Sequence, residues 1–277
     1  MSSVIINGEP GTQLASSDRA IQYGDGVFET LAWRDRGLEF WPQHMARMQQ
    51  ACKQLKLPVI DPTIWLQDIS QLTLGERAVI KLILSRGTGG RGYAFSDKLQ
   101  PSRLVAAYAW PNYSPQLNTQ GIALRRCATP VSMNTALAGI KHLNRLDNVL
   151  ARNEWQDSAI AEGLMCDIDD NVIEGTMSNL FAVKQSVLYT PLLNRAGVRG
   201  VIREQIILIA NRLKLSVIER DIKVNELLTM DELFITNSLI GIWPVIKFEN
   251  AHYAVGKMTQ QLQQQLQQDL RTHVTTL

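Results

Sequence analysis

The spacing of apolar residues changes period several times along the chain, and each change marks an element. VIINGEP, near the start, alternates and then breaks at Asn7-Gly8, the mark of a short strand and its turn. Residues 24–41 are rich in β-branched and aromatic side chains and read as two strands joined at Asp35-Arg36-Gly37. After Pro42 the period lengthens: Met45, Met48, Cys52 and Leu55 fall on one face of a helix. AVIKLILS (78–85) and RLVAAYAW (103–110) are apolar runs of strand length. PNYSPQLNTQG (111–121) has neither period and is dense in turn residues, which predicts a linker.

Beyond it, strands and helices alternate. IALRRCATPV opens as a strand. Leu143, Leu146 and Leu150 predict a helix over 143–162, closed by Gly163. LMCDIDDNVIEG predicts a hairpin turning at Asp169-Asp170-Asn171, and NLFAVK and SVLYT two more short strands. After Gly200, the residues Ile202, Ile206, Ile209, Ala210 and Leu213 form the stripe of an amphipathic helix. ELFITNS and IGIWPVIKF are further strands. In the glutamine-rich tail Leu262, Leu266 and Leu270 stand four apart, which favours a helix over disorder. No internal repeat is visible. The expected fold class is α/β (α+β): a small N-terminal α/β domain over 1–111, an interdomain linker over 112–121 and a large C-terminal domain over 122–277.

Composition narrows the function classes. The chain has 277 residues, 45% hydrophobic and 19% charged, enough to bury the cores of two domains. Lys and Arg number 28 against 26 Asp and Glu. That balance gives no electrostatic reason to expect a nucleic-acid partner, so any anion must be held by a local arrangement. No apolar run approaches the ~20 residues of a membrane span, and the start lacks the basic and apolar regions of a signal peptide. Cys52, Cys127 and Cys166 are scattered, and the four histidines have no metal-ligand spacing. The expectation is a cytoplasmic protein with a small-molecule substrate, no membrane and no metal.

Gly87-Thr88-Gly89-Gly90-Arg91-Gly92 formally matches the dinucleotide fingerprint, but that fingerprint must open a helix. The residues that follow have no helical period and include a proline, so the run reads as a backbone-exposing loop beside a site.

Four stretches can carry chemistry. Lys141 follows a small-residue loop and precedes an apolar stripe; apolar neighbours can depress an amine's pKa, as a Schiff-base lysine needs. Glu174 stands at a strand end among small and apolar residues, where it can keep a pyridine nitrogen protonated or simply cap backbone amides. Gly200 opens a helix, so the amides of Val201 and Ile202 can face a phosphate. Arg47 lies on an otherwise apolar helix and can grip a phosphate with two hydrogen bonds or snorkel to the surface. Each has an ordinary structural reading taken alone.

In this order and at these separations the four resemble the fold-type IV pyridoxal-phosphate enzymes: branched-chain aminotransferases, D-amino-acid aminotransferases and aminodeoxychorismate lyases. The resemblance runs from Tyr23-Gly24-Asp25-Gly26-Val27-Phe28-Glu29-Thr30 to Ile242-Trp243-Pro244-Val245. Residues 85–93 and 138–146 are most similar to the bacterial lyase branch. The resemblance implies two α/β domains with pyridoxal 5'-phosphate between them, the larger one binding the cofactor, and a homodimer. It implies that Lys141 forms the Schiff base and that Glu174 binds the pyridine nitrogen. Arg47, Ser178, Asn179, Val201, Ile202 and Ser238 would complete the cofactor site. Ile202 stands where the aminotransferases commonly have Thr, so its backbone amide is the contact carried over. Arg91 would bind a substrate carboxylate, with Tyr93 (where D-amino-acid aminotransferases have His) and Phe28 lining the same pocket. The implied reaction converts 4-amino-4-deoxychorismate to 4-aminobenzoate and pyruvate; the alternative is amino transfer to or from branched-chain or D-amino acids on the same scaffold.

Overall fold

Short turns build the first sheet. Asn7 and Gly8 both take positive φ, as do Asp35 and Arg36, the backbone that two-residue hairpins need. In the computed structural model, which describes residues 4–96 and 98–277, the chain divides into two units. The first runs to Pro111 and takes in Ile140–Asn144 and Thr272–Leu277. Its elements are β1 (Val4–Ile6), β2 (Glu9–Pro10), α1 (Arg19–Tyr23), β3 (Gly26–Arg34), β4 (Gly37–Glu39), α2 (Trp41–Leu55), α3 (Pro62–Ser70), β5 (Arg77–Ser85), β6 (Ser102–Ala109) and β16 (Val274–Thr276). The strands pair antiparallel in the order β16-β4-β3-β5-β6-β1-β2.

Register decides what each face of this sheet carries. Phe28 lies opposite Ile83 and Thr30 opposite Lys81. Alternation therefore puts Val27, Leu31 and Trp33 on the other face with Ala78, Ile80, Leu82 and Leu84. That face is buried with Met45, Met48 and Cys52 of α2 and Trp65 and Ile69 of α3. Glu29 has the same parity and is 1% exposed. A carboxylate in a core persists only with partners, and α2 supplies them. His44 Nδ1 lies 2.6 Å from Glu29 Oε2, Arg47 Nε donates to Oε1 at 2.8 Å, and Arg47 Nη2 donates to Oε2.

The second unit comprises Asn112–Gly139 and Arg145–Arg271. It contains α4 (Leu117–Gln120), β7 (Ile122–Arg126), α5 (Leu146–Arg152), β8 (Ile160–Cys166), β9 (Val172–Gly175), β10 (Asn179–Lys184), β11 (Val187–Pro191), α6 (Val201–Arg212), β12 (Ser216–Arg220), α7 (Val224–Leu227), β13 (Glu232–Asn237), β14 (Gly241–Phe248), β15 (Ala251–His252) and α8 (Lys257–Thr272). The sheet order is β12-β11-β10-β13-β14-β7-β8-β9, with β15 on β14. β11–β12, β14–β7 and β7–β8 are parallel and the rest antiparallel. Phe181 and Phe234 stack in its core with ring centres 5.0 Å apart. The polar stretch 112–121 is tied to this unit: Trp243 Nε1 donates to Asn118 Oδ1 at 2.6 Å and Gln263 Nε2 to Asn118 O at 2.8 Å.

The helices α2, α6 and α8 lie where the apolar periods place them. The helix expected over 143–162 is a correction: α5 spans only Leu146–Arg152, and the chain is a strand again from Ile160. Polar side chains end it early. Asn153 Nδ2 bonds Val149 O at 2.7 Å, Glu154 caps the amides of Ala128 and Thr129, and Asp157 turns the chain through Ala159 N–H. The leucine period also marks no buried face, since Leu146 is 75% and Leu150 61% exposed. Among the described residues no helix is long and apolar enough to cross a membrane.

Burial pushes the Glu29 carboxyl up, but Arg47 and His44 outweigh it and hold it at about 2, against an ordinary 4.5. A depressed carboxyl contributes stability above its unfolded pKa and loses it as pH falls through the folded one. Between about pH 4.5 and 2 the parent should therefore lose on the order of 2–3 kcal/mol through this group. Glu29→Gln is expected to be less stable at neutral pH but to lose less on acidification. Urea midpoints measured on both proteins as the pH is lowered check this; parallel losses would contradict it.

Candidate active site

The segment that carries Lys141 is extended, not the start of a helix. Gly139 takes φ +80°, which a side chain would strain. Its N–H donates to Gly197 O at 2.9 Å, and its carbonyl accepts from Arg199 N–H at 3.1 Å. Two residues on, Phe28 N–H donates to Lys141 O and Leu143 N–H to Gly26 O, both at 3.0 Å. Lys141 Nζ lies 4.3 Å from the centre of the Phe28 ring, and Lys81 Nζ lies 5.2 Å from the same centre. The ring thus has two ammonium neighbours. His44 is close enough to feel this charge: burial pushes its pKa down, Glu29 pulls it up, and Arg47 and Lys141 push it down further.

Arg47 is no snorkelling surface arginine. Its guanidinium is mostly buried against Glu29. Neither Glu29 nor His44 stood out in the sequence. The signal available was Glu29's parity, a carboxylate at a core-facing position of β3.

In the second unit, Glu174 is the last residue but one of β9 and is 4% exposed. Its Oε2 accepts the Val198 N–H at 2.8 Å, while Asn179 Nδ2 donates to Val198 O at 2.9 Å. The amide-capping reading of Glu174 is therefore present in the structure. Arg145 supplies a positive charge nearby: burial pushes its pKa down, and Glu174 and Asp147 push it back up. From Val198 the chain enters α6 through Gly200, whose Cβ would lie 2.1 Å from Asn179 Oδ1. Among the described residues no side chain caps α6, and the amides of a helix's first turn have no partner inside it. The Ile202 side chain is buried in the core. The Ser178 hydroxyl donates to Glu162 Oε2 at 2.9 Å. Ser238 is half-buried in the turn between β13 and β14, where Asn237 Oδ1 accepts the Leu239 and Ile240 N–H groups.

The glycine-rich run 87–92 forms a loop, and no helix follows it among the described residues up to β6. At Gly87 (φ +90°) a Cβ would lie 1.7 Å from Gln100 O. Arg19 anchors the loop by donating to Gly92 O at 2.9 Å and Tyr93 O at 3.1 Å, and Gly92 N–H donates to the Tyr23 hydroxyl at 3.0 Å. Arg91 is exposed and Tyr93 is 86% exposed.

The first unit thus gathers Phe28, Lys141 and the Arg47 cluster, and the second gathers Glu174, Asn179 and the start of α6. In the first unit an amine against an aromatic face can form a Schiff base with a carbonyl; in the second a buried carboxylate can pair with a basic ring nitrogen, and the start of α6 can bind a phosphate.

Comparison with known proteins agrees with this chemistry. The Amino-transferase class IV model matches residues 26–248. An aminodeoxychorismate lyase of Vibrio harveyi is 36% identical, covering 93% of this chain and 97% of that protein. The crystal structure of a 4-amino-4-deoxychorismate lyase from Pseudomonas aeruginosa matches with a TM-score of 0.90 at 38% identity, over 96% of this chain and 99% of that one. A D-alanine aminotransferase of Bacillus licheniformis is 26% identical over 91% of this chain and 90% of that protein. The chain belongs to the class IV aminotransferase family.

Proposed function

We propose that the chain is a pyridoxal-phosphate-dependent lyase that converts 4-amino-4-deoxychorismate to 4-aminobenzoate and pyruvate, a step towards folate. The observation that carries this reading is the near-full-length identity of 36% and 38% to two such lyases, against 26% to a D-alanine aminotransferase.

The bound cofactor supplies an electron sink for the pair released when a substrate C–H bond breaks. In this reading Lys141 is the amine that holds the cofactor covalently. With the substrate in place, Lys141 Nζ would be the base for the proton on the ring carbon that bears nitrogen. Loss of the enolpyruvyl oxygen leaves an aromatic ring, a driving force that amino transfer lacks. Glu174 holds a proton on the pyridine nitrogen. The amides of Val201 and Ile202, with Arg47 and Ser238, hold the phosphate, and Asn179 supports the same site. Arg91, with Tyr93 and Phe28 beside it, binds the substrate's carboxylates; Lys81 adds a second cation next to Phe28.

The reading includes a homodimer, for which the exposed apolar residues Leu146, Val149 and Leu150 of α5 offer a face to cover. It places the enzyme in the cytoplasm, where three buried free thiols are stable.

Incubation with aminodeoxychorismate should yield 4-aminobenzoate. Turnover of an amino acid with a 2-oxo acid and none of aminodeoxychorismate would favour the aminotransferase. Lys141→Ala should abolish both turnover and the borohydride-sensitive absorbance band; a band that survives means another lysine carries the cofactor. Glu174→Gln should keep the cofactor and lose about a hundredfold or more in kcat. Activity within a few-fold of the parent removes Glu174 from its role. Arg91→Lys should raise KM by about ten- to a hundredfold, because lysine cannot copy a bidentate grip, and should leave the cofactor spectrum alone. Unchanged kinetics would put the carboxylate site elsewhere.

A further inference from the structure

Twelve positions before Glu174, the apolar strand β8 contains another acid, Glu162. It is 0% exposed. The antiparallel register pairs Leu164 with Gly175. Continued along β8, that register sets Glu162 opposite Met177, just past the end of β9. Its side chain therefore meets the turn at 176–178 rather than a neighbouring strand.

Five donors converge on it there. Oε1 accepts from Gly163 N–H at 2.9 Å, Thr176 N–H at 3.2 Å and the Thr176 hydroxyl at 2.5 Å. Oε2 accepts from Met177 N–H at 3.2 Å and the Ser178 hydroxyl at 2.9 Å. No Lys, Arg or His among the described residues lies within 4 Å of it, so dipoles alone meet its charge. Burial pushes its pKa up and these donors oppose the rise. Gly175 belongs to the same design, since a Cβ there would lie 2.2 Å from Ser178 Oγ and 3.1 Å from the Glu162 carboxyl.

The turn that Glu162 gathers joins β9 to β10, and its two ends carry Glu174 and Asn179. Those two side chains take the N–H and the carbonyl of Val198 respectively. Val198 lies two residues before Gly200, the N-cap of α6. A shift in the turn changes the spacing of Glu174 and Asn179, and with it the aim of α6's first amides.

We propose that Glu162 is a positioning residue for the cofactor: its carboxylate sets the turn at 176–178 and thereby the placement of Glu174, Asn179 and the start of α6. Ser178 then serves Glu162 and not the cofactor, which revises the expectation drawn from the sequence. The inference rests on the reading in which Glu174 and α6 hold pyridoxal phosphate.

Glu162→Gln keeps the shape but replaces one acceptor with an NH2 that faces donors. It is expected to weaken pyridoxal-phosphate binding by about ten- to a hundredfold, measured by equilibrium dialysis, and to shift the pH at which the visible band of the bound cofactor titrates. Ser178→Ala should weaken binding less, and the double variant should bind no worse than Glu162→Gln, because the two changes break one shared bond. Should Glu162→Gln not fold, Ser178→Ala and Thr176→Val, each removing one donor, carry the test: both should weaken binding several-fold. Parental affinity and an unmoved pH profile in the folded variants would overturn the proposal, as would strictly additive losses in the double variant. A parent protein that takes up no pyridoxal phosphate would instead sink the proposed function.

Discussion

In the proposed function a covalent link to the cofactor requires one amine offered at a fixed place, and main-chain hydrogen bonds fix the backbone around Lys141. Gly139 is bonded in both directions to the 197–199 segment, and Lys141 O and Leu143 N–H are bonded to β3. The Lys141 ammonium lies over the Phe28 ring. The positive φ of Gly139 is what lets the chain leave one set of bonds and enter the other. If this stretch slipped by one residue, alternation would turn His142 to where Lys141 points.

Three buried carboxylates, Glu29 in the first unit and Glu174 and Glu162 in the second, are each satisfied differently. Glu29 has an arginine and a histidine side chain. Glu174 accepts the Val198 N–H and lies in the field of Arg145. Glu162 has five neutral donors. The first is locked into the core and the third into a turn.

How much of this was legible depended on the range of the interaction. Elements set by local period or turn chemistry, such as the hairpin at Asn7-Gly8, α2, α6 and α8, could be read directly. So could Lys141 and Glu174 as candidates, because small and apolar neighbours mark them out. The helix over 143–162 failed because Leu143, Leu146 and Leu150 keep a helical spacing while Asn153, Glu154 and Asp157 pull the backbone elsewhere. The bond between Ser178 and Glu162 could not be read, because the two stand sixteen positions apart and meet only through strand register. Glu29 and His44 were missed for the same reason: an acid in an apolar strand looks like an exception until the helix that answers it is in place.

The first unit is written in three pieces along the chain, and β16, which closes one edge of its sheet, comes after nearly all of the second. A ribosome delivers these pieces in order. β4 thus emerges with one side of its backbone unpaired and stays so until residues 274–276 appear. An open strand edge is a template for other chains. For that interval the nascent protein is a natural client for chaperones, and a translational pause within the second unit would lengthen its exposure to aggregation.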